Sequence, residues 1–202
     1  MALWLAHHPL ILASKSAARR AVLTGAGVQI EVHPASVDER SIEAQAGPLS
    51  ASEIAGLLAR EKARAVAAQH PRRLVLGADQ TLALDKRVFS KASSRAEARE
   101  QLQALRGRKH SLHSAFAIIC DDNVMFEHND AAHLTMRTFT DQFLEDYLDT
   151  IGRAATASVG GYQLEGVGVQ LFERVEGDHF TVLGMPLLPL LDWLRQAGFL
   201  AK

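Results

Sequence analysis

Two long runs of alternating polar and apolar residues, from Ser111 to Cys120 and from Val124 to Arg137, are separated only by Asp121-Asp122-Asn123. Period-two alternation on both sides of a short turn-forming tripeptide predicts a long antiparallel hairpin. A chain with such a pair at its centre cannot be built on a purely parallel sheet. Before the hairpin, short apolar runs alternate with helical segments. Pro9 to Ala13 reads as a buried strand, followed by a helical segment closed by Gly25 or Gly27, and Val28 to His33 as a strand with one wet face. Ser50-Ala51-Ser52-Glu53 is a capping box opening a helix through Ala68, with Ile54, Leu57 and Leu58 as its expected buried stripe. Arg73 to Ala83 is a second buried strand, broken at the polar Asp79-Gln80, and a further short strand ends near Phe89.

A helix is expected from the Ser94-Arg95-Ala96-Glu97 cap to Gly107, and another from Thr140 through Ile151. A strand follows from Tyr162 to Glu173, and a last helix with Pro186 at its first position ends at Gly198. No repeat, low-complexity block or linker divides the chain, so residues 1–202 are treated as one domain. The expected fold class is α/β: a mixed twisted sheet with flanking helices.

Composition narrows function by exclusion. With 22 Lys and Arg against 23 Asp and Glu, the net charge of −1 does not suit a protein gripping nucleic acid through many phosphates. No stretch approaches the ~20 apolar residues of a membrane span, and Met1 to Ala6 lacks the basic start and cleavage site of a signal peptide. The single cysteine, Cys120, has no partner for an intramolecular disulfide and lies in an apolar run, where a buried structural thiol is expected. A reducing, cytoplasmic location is the expectation.

Candidate chemistry concentrates in a few places. Ser14-Lys15-Ser16-Ala17-Ala18-Arg19-Arg20 takes the chain from a buried strand into a basic helix start, where unpaired N–H groups and guanidinium forks meet an anion. The same residues also suit a plain N-capping serine followed by a solvated basic turn. Asp79 stands at the end of an apolar run, where a carboxylate can hold a divalent cation and orient a water. Glu39, in Val37-Asp38-Glu39, offers a second oxygen ligand, although either acid also suits a turn. Lys62 and Lys91 would neutralise phosphates if they converged on one cleft; each alone is an ordinary solvated lysine. His110, His113 and His133 lack metal-ligand spacing and are assigned to surface or core. Neither a P-loop nor a GxGxxG is present.

In order, these segments resemble the Maf family of nucleoside triphosphate pyrophosphatases over nearly the whole chain. The resemblance runs through Leu12-Ala13-Ser14-x-Ser16-x-x-Arg19-Arg20, Val37-Asp38-Glu39, Glu61-Lys62-Ala63 and Gly77-Ala78-Asp79. It continues in Lys91, Leu105-x-Gly107-Arg108-x-His110, Gly160-Gly161-Tyr162, Glu165-Gly166, Gly177-Asp178 and Gly184-Met185-Pro186-Leu187. It implies a two-lobed mixed α/β fold of the Maf/Ham1-like, inosine triphosphate pyrophosphatase-like kind, with the nucleotide in the cleft. It also implies hydrolysis between the α and β phosphorus atoms, giving a monophosphate and pyrophosphate. By resemblance Ser14, Ser16 and Arg19 hold phosphates beside Arg20, and Lys62 and Lys91 offset triphosphate charge. Glu39 and Asp79 bind Mg, Mn or Co, and Asp79 accepts the proton of the attacking water. The implied partners are a small-molecule nucleotide and, in some members, a second copy of the chain, with neither nucleic acid nor membrane.

Three positions separate branches of that family. Where the branch acting on dTTP and UTP carries Arg, Thr and Gln, this chain has Ala18, Gln80 and Glu165; the 7-methyl-GTP branch carries Trp, Gln and Glu. Gln80 and Glu165 side with the methylguanine branch, where a carboxylate accepts the N1–H and N2–H donors of the base. Ala18 departs from it, removing a stacking ring worth roughly 1–3 kcal/mol, or one to two orders of magnitude in selectivity. Trp4 and Tyr162 are the two rings considered as its replacement. Ala92, where the family has proline after the lysine, is expected only to loosen its loop. The competing readings are a dTTP/UTP pyrophosphatase and, from another class, a non-catalytic nucleotide-binding regulator of septum formation.

Overall fold

A computed structural model describes residues 3–202; the first two residues of the N-terminal segment, Met1 and Ala2, lie outside the described residues. Among the described residues seven strands form one mixed sheet; six follow the order β2 (Ile30–Val32), β1 (Leu10–Leu12), β3 (Leu74–Leu84), β5 (Lys109–Cys120), β6 (Asn123–Met136), β7 (Phe172–Glu176), and the seventh, β4 (Arg87–Phe89), pairs with β3 off this path. The expected hairpin is there: β5 and β6 pair antiparallel from Lys109↔Thr135 to Cys120↔Asn123. β1 runs parallel to both β2 and β3.

β3 is the spine of this sheet. The sequence suggested a break at Asp79-Gln80, yet the strand runs unbroken from Leu74 to Leu84, because β5 pairs with it throughout, Asp79 opposite Ala115 and Gln80 opposite Ser114. Its other edge is covered only in part. β1 reaches Val75 and Leu76, and β4 (Arg87–Phe89) pairs with Leu82 to Leu84, leaving the stretch from Gly77 to Thr81 without a strand partner on that side. The C-terminal ends of β1 and β4 converge on this gap from opposite directions. A crevice outside strand C-termini is where open α/β sheets bind ligands.

Alternation along β3 sends Val75, Gly77, Asp79 and Thr81 to one face, and Leu76, Ala78, Gln80 and Leu82 to the other. The first face carries α3 (Ala51–Ala67), opened by the expected capping box: Glu53 N–H donates to Ser50 Oγ at 3.3 Å, and Ser50 N–H to Glu53 Oε2 at 2.8 Å. Its buried stripe differs from expectation. Ala51, Ala55, Ala59, Ala63 and Ala67 recur every fourth residue and are all buried together with Leu58, while Ile54 and Leu57 are only half-buried. Small side chains let the helix axis approach the sheet closely. At Gly77 the approach is backbone to backbone: a Cβ there would overlap the Ala59 carbonyl oxygen and lie 2.6 Å from the Ala63 nitrogen.

The second face holds two apolar clusters. One, around Leu10, Leu76, Phe116 and Ile118, is covered by α1 (Ala17–Gly25) and α7 (Leu187–Gln196). The other, around Leu82, Leu102, Leu112 and Leu134, is covered by α4 (Arg95–Leu105) and α5 (Asp141–Ile151). Between them lies a polar seam in which Gln80 and Ser114 bond to the short helix α6 (His179–Val182).

Other expectations are corrected. The strand foreseen from Tyr162 to Glu173 is a series of turns with a 3-10 segment at Val167–Leu171, and β7 begins only at Phe172. The cause is glycine: a Cβ on Gly168 would overlap the Gln163 carbonyl oxygen, so the chain folds tightly on itself there. Pro186 caps the last helix rather than starting it. α2 (Glu39–Ala46), set off by Asp38 accepting from Ser41 N–H at 3.2 Å, and α6 were not foreseen. Cys120 is half-exposed rather than buried, at the end of β5. No helix of the described residues is long and apolar enough to cross a membrane.

Two outcomes follow from this packing. Gly77→Ala forces backbone apart and should cost about 3 kcal/mol or more, lowering Tm by roughly 6–12 °C in a thermal melt. His110 is 2% exposed, bonded through Nε2 to the Tyr162 hydroxyl at 2.8 Å, and burial lowers its pKa from the usual 6.5 to about 4. Because the unfolded state takes up this proton first, stability is fully present above pH 6.5 and declines as pH falls toward 4. Denaturant melts should show a loss of about 3 kcal/mol across that interval, reduced in His110→Phe.

Candidate active site

The β1–α1 connection is built by its two serines. Ser16 caps α1, accepting the Arg19 N–H at 3.3 Å, and Ser14 Oγ accepts the Ser16 N–H at 3.2 Å. Arg19, one turn into α1, is buried and clips three segments together. Nε donates to the Gly184 carbonyl at 2.8 Å, and Nη1 to the Ala78 carbonyl at 2.8 Å and to Ser14 Oγ at 3.1 Å. The Ala78 carbonyl belongs to the uncovered edge of β3, so Arg19 satisfies an acceptor that no strand reaches. Much of the guanidinium foreseen as a phosphate fork is thereby engaged with the protein, and only Nη2 lacks a partner among the described residues. Burial lowers the Arg19 pKa, opposed by the charges of Asp79 and Glu39. Arg20 and Lys15 are exposed beside it, and Ala18 is half-buried.

Asp79 stands at the middle of β3 on the face that carries α3, and the contact at Gly77 brings Lys62 to it. Lys62 Nζ lies 2.6 Å from Asp79 Oδ1 and 2.7 Å from Glu39 Oε1, so one ammonium holds acids from two separate segments. The Lys62 and Asp79 side chains are 12% and 11% exposed, whereas Glu39 is 49% exposed at the start of α2. Burial raises the Asp79 pKa, with Lys62 and Arg19 pulling the other way. Lys91, just beyond β4, sits where a single bridge joins it to Val159. It makes no salt bridge among the described residues; burial and the positive charges of Arg19 and Lys62 lower its pKa, so its ammonium belongs to the same neighbourhood.

Glu43 was missed by sequence reasoning. It follows Glu39 by one turn of α2 and is half-buried, and burial together with the Asp79 and Glu39 charges raises its pKa. The signal was available in Asp38-Glu39-Arg40-Ser41-Ile42-Glu43, where a capping aspartate precedes two acids spaced by four.

The structure gathers Ser14, Ser16, Arg19, Glu39, Lys62 and Asp79 around the β3 gap, with the exposed Lys91 near enough to feel their charges. The base-selecting positions stand differently. Gln80 points to the opposite face, its amide nitrogen donating to the Thr181 and Val182 carbonyls at 3.1 and 3.0 Å and lying 2.9 Å from Ser114 Oγ. Among the described residues, Oε1 alone is left without a partner. Glu165 is exposed in the turn before the 3-10 segment and makes no hydrogen bond to Gln80. The two rings considered as replacements at Ala18 are both engaged: Trp4 is buried against α7, and Tyr162 is buried against His110. Neither is free to stack on a base. Ala92 is buried in the core with Leu82 and Leu102.

A family model for Maf-like proteins matches residues 9–197. The chain belongs to the Maf family. A nucleoside triphosphate pyrophosphatase of Rhodopseudomonas palustris (strain BisB18) is 52% identical over 201 residues, covering 100% of both chains. A protein of Rhizobium etli named 7-methyl-GTP pyrophosphatase is 48% identical over 191 residues, covering 94% of this chain and 96% of the relative. The solved structure of a HAM1 protein from Coxiella burnetii overlaps 63% of this chain and 72% of its own at a TM-score of 0.42 and 18% identity.

The clip formed by Arg19 gives a prediction. Arg19→Lys keeps one charge but cannot serve three acceptors held apart on the β1–α1 connection, β3 and the Gly184 turn. It should lower stability by about 2–4 kcal/mol in urea unfolding, because buried carbonyls lose charged donors.

Proposed function

We propose that this chain hydrolyses nucleoside triphosphates between the α and β phosphorus atoms, releasing a monophosphate and pyrophosphate. The single observation carrying this reading is the Glu39–Lys62–Asp79 constellation beside the gap between β1 and β4, with the serine-capped α1 joined to the same stretch of β3 through Arg19. Phosphoanhydride cleavage asks for positioning and charge neutralisation rather than covalent help, and these residues supply both.

Each side chain then has a task. Ser14 and Ser16 and the N–H groups at the start of α1 receive phosphate oxygens. Lys62 and Lys91 are compact point charges for the triphosphate. Asp79, whose proton affinity burial increases, takes the proton of the attacking water. The two carboxylates fit a hard cation: no three His, Cys, Asp or Glu among the described residues are arranged to hold a metal by themselves, so the donor set is that of Mg²⁺ or Mn²⁺ shared with substrate phosphates, not a closed protein cage. Glu39 and Asp79 would hold that cation, which when bound supplies positive charge to the phosphate oxygens.

For the base, the reading favours 7-methyl-GTP or a related modified purine nucleotide. Gln80 has its amide N–H groups tied to backbone carbonyls, so it offers an acceptor, as Glu165 does. Two acceptors suit the N1–H and N2–H donors of guanine and oppose the O2 of uracil or thymine. The relative named 7-methyl-GTP pyrophosphatase supports the same choice. With Ala18 in place of a ring, the preference is expected to be modest.

A nucleotide panel with product identification tests this. The expected result is Mg²⁺-dependent pyrophosphate release, with kcat/KM for 7-methyl-GTP above that for UTP and dTTP. The reverse order removes the purine reading, and nucleotide binding without pyrophosphate leaves only a regulator. Asp79→Asn should lower kcat by about 10²–10⁴-fold without loss of fold by circular dichroism.

A further inference from the structure

We propose that the Lys62 ammonium and a divalent cation are alternative occupants of the Glu39–Asp79 carboxylate pair, and that loading the cation releases Lys62 to the substrate phosphates. The proposal rests on the metal reading given above and adds to it the order of events at the site.

The Lys62 ammonium lies 2.7 Å from Glu39 Oε1 and 2.6 Å from Asp79 Oδ1, the one positive centre among the described residues that touches both acids. A hard cation takes carboxylate oxygens at about 2.0–2.1 Å, so on this pair it would compete with the ammonium for the same lone pairs, and two cations in one notch repel. The surroundings determine which part yields. α3 cannot shift, because its backbone is packed against Gly77, so Lys62 departs by rotation of its four-carbon stem. α2 buries no side chain, and Glu39 at its first turn is half-exposed, so this acid can re-aim toward a smaller ion. Lys91 differs: it shares the neighbourhood but makes no contact with either carboxylate, and it serves as the internal control.

The exchange couples metal and nucleotide. Alone, the cation must break a charge-assisted hydrogen bond to Asp79 and an ion pair to Glu39; with triphosphate present, the displaced ammonium finds new anionic oxygens. Each ligand therefore raises the affinity for the other by the same factor.

Titration of the nucleotide-free protein with MnCl2 at physiological ionic strength, with unbound Mn²⁺ read by electron paramagnetic resonance, tests the exchange. Lys62→Gln should bind Mn²⁺ at least about fivefold more tightly than wild type, and Lys91→Gln about twofold more tightly or less. An unchanged affinity in Lys62→Gln overturns the proposal, as does an equal gain in Lys91→Gln, which would mark a general effect of charge. Asp79→Asn separates the two layers: if it leaves Mn²⁺ affinity unchanged, the metal reading itself fails. A second readout needs no variant. Reductive methylation of wild-type protein, followed residue by residue by mass spectrometry, should label Lys62 faster with Mg²⁺ than with chelator; equal labelling counts against the exchange.

Discussion

The close seating of α3 on β3 is the constraint on which the site depends. It requires small residues on both surfaces: an alanine at every fourth position of the helix, and Gly77, Ala115 and Ala117 on the sheet. Lys62 precedes Ala63, whose nitrogen is among the atoms nearest Gly77, and Asp79 stands two residues beyond Gly77 on the same face. A helix held farther off by larger side chains would leave the ammonium short of the carboxylate. Packing of apolar and featureless residues thus fixes the geometry of charged ones, and a buried acid is tolerated because a lysine on a rigid helix reaches it.

The second constraint is topological. β3 is long enough to take two different partners on one edge, and neither covers its middle. The uncovered backbone would present unsatisfied groups, and Arg19 answers for one of them by donating to the Ala78 carbonyl. The same guanidinium also holds Gly184, at the end of the segment that Gln80 and Ser114 fasten from below. Two residues that resemblance assigns to substrate are therefore also fasteners of the cleft wall. Substitution at either position changes shape as well as recognition.

Much of the architecture was legible because it rests on local signals. The hairpin of β5 and β6, the capping box of α3 and the serine-capped start of α1 each follow from a few neighbouring residues. What escaped depended on distant partners. Asp79-Gln80 looked like the end of a strand, because two polar residues rarely continue a buried one; here Asp79 meets Lys62 and Gln80 meets two carbonyls, so the strand persists. The stretch after Tyr162 kept an alternating pattern, yet its glycines allow tight turns that periodicity does not register. The residues of the candidate site could be named from the ordered motifs, but not the bonding of Arg19 to three segments of the chain or the half-buried Glu43. The rings of Trp4 and Tyr162 could not be placed at all without knowing which core each one fills.

The account stands on Glu39 and Asp79 meeting around one cation beside the triphosphate. A crystal structure grown with Mn²⁺ and a non-hydrolysable nucleoside triphosphate tests that directly, through the anomalous signal of the metal. The account predicts a peak coordinated by both carboxylates, with phosphate oxygens reaching Ser14 and Ser16 at the start of α1. A peak that avoids either acid, or a triphosphate bound away from the gap between β1 and β4, would contradict it.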